Sequence, residues 1–166
     1  MEKSVHEFSI RLAQNSDLAP LHGLMDAAIA KLQNAFLSPK QVTASYEVMG
    51  LDTTLIEDGT YFVVATETQD GTQITGCGGW SRRETLYGGD HSKGRNARLL
   101  NPVTEPARVR AMYTHPDWVR KGVGRLILNS CEQAARDAGF TRAEMMATLA
   151  GVPLYEACGY SKIENV

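Results

Sequence analysis

Residues 107–128 read A-R-V-R-A-M-Y-T-H-P-D-W-V-R-K-G-V-G-R-L-I-L. The spacing predicts a strand over 108–114 and a helix over 122–138, joined by a basic, glycine-containing turn. Such a turn aims several main-chain N–H groups at one spot and adds the positive end of a helix dipole. It is built to hold an anion, phosphate above all. Gly122 and Gly124 let the main chain approach a ligand without Cβ interference, while Arg120 and Lys121 put charge at the lip and Arg125 adds a third cation. R-K-G-V-G is not G-x-x-x-x-G-K-[ST], and Ile127 stands where G-x-G-x-x-G needs its third glycine. Kinase and dinucleotide readings lose their strongest marker.

Outward from the turn, Val123, Ile127, Cys131, Ala134, Ala135 and Ala138 form one apolar helix face, which Gly139 ends. Residues 142–148 read as a fifth strand, 151–158 as a short helix starting at Val152-Pro153, and 160–163 as the start of a sixth strand. Upstream, Phe8, Ile10 and Leu12 alternate with polar residues as in a half-buried strand. Ser16 or Asp17 can then cap a helix running to about 31–35. Pro39 opens a second helix to about Met49. Residues 60–66 and 72–81 flank an Asp70-Gly71 hairpin signal, and 82–106 lose all periodicity, as a functional or mobile loop would. The expected fold is α/β: a mixed, mostly antiparallel central sheet of about six strands flanked by helices.

A chain of 166 residues that is 43% hydrophobic and 22% charged fits one compact domain spanning 1–166. Its net charge of -2 gives no global reason to expect nucleic acid or an anionic membrane as partner. Cys77, Cys131 and Cys158 sit in apolar or Gly-rich surroundings, which predicts reduced thiols in a cytoplasmic protein. His6, His22, His91 and His115 share no ligand spacing, so no metal is expected. The N-terminus lacks the apolar core of a signal peptide, and no apolar run could span a bilayer.

Strand, H-P-D-W, basic pair, G-V-G and amphipathic helix together resemble the coenzyme A motif R/Q-x-x-G-x-G/A of the GNAT superfamily of acyl-CoA-dependent N-acetyltransferases. P-L-Y-E-A-C-G-Y, residues 153–160, resembles its second signature, Y-x-x-x-G-F/Y. The resemblance implies acetyl-CoA as acyl donor, with main-chain groups of Met112, Tyr113 and Thr114 lining the pantetheine arm. It implies that Arg120, Lys121, Gly122, Val123, Gly124 and Arg125 hold the pyrophosphate, and that Tyr155 protonates the departing thiolate. A phenol of ordinary pKa about 10 can serve a thiolate of about 8.5. Three positions depart from the pattern: Val119 replaces the motif's first Arg or Gln, Thr148 stands where many members carry Asn, and Val166 comes before the usual last strand. The unpaired edge that this leaves allows a homodimer.

Some members carry a glutamate base on the fourth strand, but the aligned residue is Arg108. Alternation would put Arg110, Met112 and Thr114 on the same face. Glu84, Glu105, Glu144 and His115 are the other candidate bases, each with an ordinary surface or turn role as the competing reading. Arg108 and Arg110 either bind a carboxylate on the acceptor or pair internally, with Glu144 as an available partner. Trp80, at the end of the third strand, either packs or walls the acceptor pocket, where Leu86, Tyr87 and Trp118 could join it. The expected function is direct acetyl transfer to an amine, small-molecule or peptide, in a ternary complex. The alternative is a non-catalytic acyl-CoA-binding or sensing domain on the same scaffold, which the missing glutamate favours.

Overall fold

The computed structural model describes residues 7–32, 38, 40, 51–85, 98–147 and 151–163. Among them, five strands form one sheet in the order β1-β2-β3-β4-β5: β1 (Ser9–Leu12), β2 (Tyr61–Thr68), β3 (Gly71–Ser81), β4 (Ala107–Thr114) and β5 (Ala143–Met145). Every neighbouring pair is antiparallel except β4 and β5, which run parallel through the α3 crossover. The helices are α1 (Leu18–Leu32), α2 (Thr53–Glu57), α3 (Val123–Asp137) and α4 (Val152–Ala157). The sheet is thus the expected mixed, mostly antiparallel one with flanking helices. Residues 160–163 carry no strand, and β5 is shorter than the alternation over 142–148 suggests. The helix expected from Pro39 to Met49 and residues 86–97 of the irregular segment lie outside the described residues.

The starts of α1 and α2 follow from local chemistry. Arg11 forks onto Asp17 at 2.8 and 2.9 Å, and the Gln14 N–H donates to the same carboxylate, so strand β1 is tied to the turn of 3-10 helix that starts α1. Asp52 caps α2 by accepting from the Thr54 N–H at 3.0 Å. The sequence reading missed this helix, whose T-T-L-I-E has weak helical propensity but a good cap.

Apolar side chains fill both faces of the sheet. Leu21, Leu24, Met25 and Ile29 of α1 pack with Leu55, Tyr61, Val63, Cys77 and Tyr113 on one side. Val123, Ile127, Cys131 and Ala135 of α3 pack with Val64, Trp80, Ala107 and Phe140 on the other. Glycines thin the middle strand to let these layers close. A Cβ at Gly76 would sit 2.4 Å from Val123 Cγ1, and one at Gly78 would sit 2.7 Å from both Ile127 Cγ2 and Met112 Cγ. At Gly79 the obstruction is backbone, with the Thr60 carbonyl oxygen at 2.5 Å and Tyr61 Cα at 3.0 Å. Main chain cannot step aside as a flexible side chain can. Gly79→Ala should therefore cost about 2–3 kcal/mol of stability in urea denaturation, with the m-value unchanged.

The ends of the irregular segment are closed by paired backbone. Glu84 N–H donates to Arg98 O and Leu100 N–H to Arg82 O, around an Arg83–Leu99 bridge. Arg98 spans Glu84 and Glu105, each at 2.7 Å, and holds the Glu105 carboxyl down at about 2.

Candidate active site

Strand β4 contains one irregularity on which the site's layout depends. Cys77 faces Tyr113 and Gly79 faces Arg110, leaving Gly78 opposite both Ala111 and Met112. This is a β-bulge, and Ala111 at its centre has φ +50°, in the left-handed region that non-glycine residues rarely enter. The bulge overturns the simple alternation expected of this strand. Arg110 shares the α1 face with Tyr113, whereas Met112 packs in the α3 layer and Thr114 Oγ1 lies 3.9 Å from where a Gly124 Cβ would be. Arg108 and Arg110 are therefore on the opposite face from Met112 and Thr114. Pairing of β4 with β5 ends at Val109 and Met145, so the edge of β4 from the bulge onward has left β5.

The Gly-rich turn begins where β4 ends. His115 Nδ1 accepts from the Asp117 N–H at 3.1 Å, and residues 116–118 form a turn of 3-10 helix. Arg120 at φ +59° and Gly122 at φ +87° then curl the chain before α3 starts. Two left-handed residues with Lys121 between them curve the main chain into a concavity of the kind that forms an anion nest. The N–H groups from Val119 to Arg125 donate to no acceptor among the described residues; intramolecular pairing resumes with Leu126 N–H to Gly122 O at 3.0 Å. Arg120, Lys121 and Arg125 are exposed, and a Cβ at Gly122 would meet nothing within 4 Å. A cradle of unspent amides with cations at its rim fits a diphosphate.

Gly124 has a different use. Leu154 of α4 reaches to 2.7 Å from where its Cβ would be, so the missing side chain seats α4 on the first turn of α3. The next residue is Tyr155, whose ring folds back over Gly151 and meets Tyr160 edge-on at 6.4 Å between centroids. Tyr160 is itself anchored by donating to Glu132 Oε2 at 3.0 Å. The Tyr155 hydroxyl has no hydrogen-bond partner among the described residues, and burial pushes its pKa up to about 12.

The remaining sequence candidates are held in internal contacts. Arg108 pairs with Glu144 of β5, and Arg110 Nη2 donates to Asp52 Oδ2 at 3.1 Å in the interior. Asp52 is a residue that no sequence signal singled out, although its capping position before T-T-L-I-E was legible. Trp80 is 3% exposed, stacks edge-on with Phe140 at 6.0 Å and carries Arg82 over its ring at 5.1 Å. Trp118 packs edge-on against Phe8 at 5.9 Å, and Phe8 lies against the apolar cluster that contains Trp80. Leu86, Tyr87 and Thr148 lie outside the described residues. Among the described residues no group of three or more His, Cys, Asp or Glu is placed to hold a metal ion, and no helix is long and apolar enough to cross a membrane.

A strand broken by a bulge, a run of unspent amides and a tyrosine helix seated on Gly124 lie together at this end of the sheet. The sequence profile of the acetyltransferase (GNAT) domain fits residues 57–162, and the chain belongs to that family. Three solved structures share the fold. A GCN5-related N-acetyltransferase from Ralstonia eutropha JMP134 aligns over 96% of each chain at 18% identity with a TM-score of 0.60. A predicted acetyltransferase from Clostridium acetobutylicum, solved with acetyl-CoA, aligns over 96% of this chain and 94% of its own at 14% identity with a TM-score of 0.58. The PaiA N-acetyltransferase of Thermoplasma acidophilum, solved with coenzyme A, aligns over 96% and 92% at 11% identity with a TM-score of 0.63. No curated protein sequence matches the chain.

Proposed function

We propose that this chain is an N-acetyltransferase that moves the acetyl group of acetyl-CoA directly to an amine bound in the same complex. The observation that carries this reading is the run of unspent amides from Val119 to Arg125 at the start of α3, rimmed by Arg120, Lys121 and Arg125. These residues would hold the diphosphate. The edge of Met112, Tyr113 and Thr114, beyond the last β5 pair, would take the pantetheine arm by main-chain hydrogen bonds.

In the reaction the amine nitrogen forms a bond to the acetyl carbon and the carbon–sulfur bond breaks. The proton lost by the amine passes to water. The Tyr155 hydroxyl gives its proton to the departing sulfur and regains one from solvent. Glu84, Glu105, Glu144 and His115 all have structural partners, so water rather than a dedicated side chain is assigned as the base. On the acceptor side, Arg108 and Arg110 would have to exchange Glu144 or Asp52 for a substrate carboxylate, and Trp80 contributes from within the core rather than from an open wall.

The test is thiol release from acetyl-CoA with a panel of small amines and peptide N-termini, run beside thermal denaturation with coenzyme A. Thiol release with at least one amine, together with a raised Tm, is expected. A raised Tm with no thiol release across the panel would favour the sensing reading, which the arginine at the glutamate position supports. Neutralising Arg120, Lys121 and Arg125 together to alanine should raise the coenzyme A Kd about 30-fold at low salt, and by much less at high salt. Calorimetry at two ionic strengths checks this.

A further inference from the structure

The Gly78-Gly79 pair raises a question that packing alone does not answer: what fills the space over Gly79 on the α1 face. Tyr61, the first residue of β2, is paired with Gly79, and its ring lies where a Cβ on that glycine would stand, 2.8 Å from Cδ1. The ring passes across β3 and its hydroxyl donates to the Ala111 carbonyl of β4 at 2.7 Å, 50 residues away in sequence. The same oxygen lies 3.2 Å from Cys77 Sγ. Tyr61 is 1% exposed. A side chain from one strand thus reaches over a second to hold the third at its one left-handed residue.

We propose that Tyr61 is a positioning residue that fastens the β4 bulge, and through it sets the direction of the main-chain groups of Met112, Tyr113 and Thr114. This rests on the reading that those groups face the thioester carrier. The bulge leaves Ala111 without a register partner on β3, and its carbonyl takes the Tyr61 hydroxyl as donor beside an apolar layer. Ala111 has no glycine's tolerance for φ +50°, so the conformation must be held from outside. Tyr61 supplies both the donor and the hold. Burial raises its pKa well above the ordinary phenol value, so the donor stays protonated through any working pH. Regular strand geometry, the alternative that the bulge competes with, would return Met112 to the α1 face and take its main-chain groups off the free edge.

Tyr61→Phe keeps the ring that covers Gly79 and removes only the hydroxyl. Amide hydrogen exchange should accelerate at Ala111, Met112, Tyr113 and Thr114 and stay unchanged in β1 and α1. In turnover, kcat should fall about tenfold, and the coenzyme A Kd should rise by a smaller factor because the diphosphate cradle at 119–125 is untouched. Adding Ala111→Gly, which adopts the left-handed conformation without penalty, should restore most of kcat. A uniform rise in exchange across the sheet, unchanged exchange at 111–114, or a kcat loss that Ala111→Gly leaves untouched would each overturn the role. The exchange measurement needs no substrate, so it judges Tyr61 even if the wild-type chain binds coenzyme A and proves to release no thiol. That last result would sink the transferase reading alone.

Discussion

Tyr155→Phe should lower kcat by about 100- to 1,000-fold while leaving both the coenzyme A Kd and the Tm close to wild type. Stability is spared because the hydroxyl makes no hydrogen bond among the described residues, and the ring's contacts with Gly151 and Tyr160 survive the change. Rate suffers because the thiolate then leaves without its proton donor. The pH profile provides a second check. With the phenol pKa pushed up to about 12, the proton-bearing form dominates at every pH below that value. Donation from Tyr155 therefore imposes no alkaline decline between neutrality and pH 10. The acid limb belongs to protonation of the acceptor amine, and it should persist in the variant at the same pH. A variant that keeps more than a third of wild-type kcat would remove Tyr155 from the chemistry.

Arg110→Ala should be the most destabilising single change among those considered, at about 3–5 kcal/mol. The guanidinium and the Asp52 carboxylate are 2% and 3% exposed at 3.1 Å, and the pair links the middle of β4 to the cap of α2. Deleting the cation leaves a buried anion without its arginine. Replacing both partners, as Arg110→Met with Asp52→Asn, should recover part of the loss, because the pair's own desolvation cost disappears with it. Urea denaturation of the two variants measures this. If Arg110→Ala instead lost under 1 kcal/mol and raised the KM of acidic acceptors only, the arginine would be a substrate contact.

What could be read in the sequence depended on how local the signal was. The turn over 115–122 and the face Val123, Ile127, Cys131 and Ala135 are short-range patterns, and the structure reproduces them as the start and buried side of α3. The Asp70-Gly71 signal marked the β2–β3 hairpin for the same reason, although its closing pair is Thr68 with Gly71. The bulge was illegible because it depends on a conformation that alanine does not advertise. Nothing in A-R-V-R-A-M-Y-T distinguishes Ala111 from a regular strand residue, and period-two reasoning then assigned Met112 and Thr114 to the wrong face. Tyr61 and Asp52 were missed because their partners, Ala111 and Arg110, lie 50 and 58 residues away. Residues 160–163 stand where a sixth strand is expected, but strand formation needs a neighbour with an open edge, and none pairs with them among the described residues.

Among the described residues three pairs, Ala107–Ala143, Arg108–Glu144 and Val109–Met145, stitch β5 to the rest of the sheet. Beyond that short seam, the described part of the chain is fixed where Leu154 drops into the notch left by Gly124 and where Tyr160 donates to Glu132. A carrier lodged between β4 and β5 would act as a splint across that seam. Protease cuts after Arg142 should consequently become rarer as the splint is added, long before global unfolding is affected.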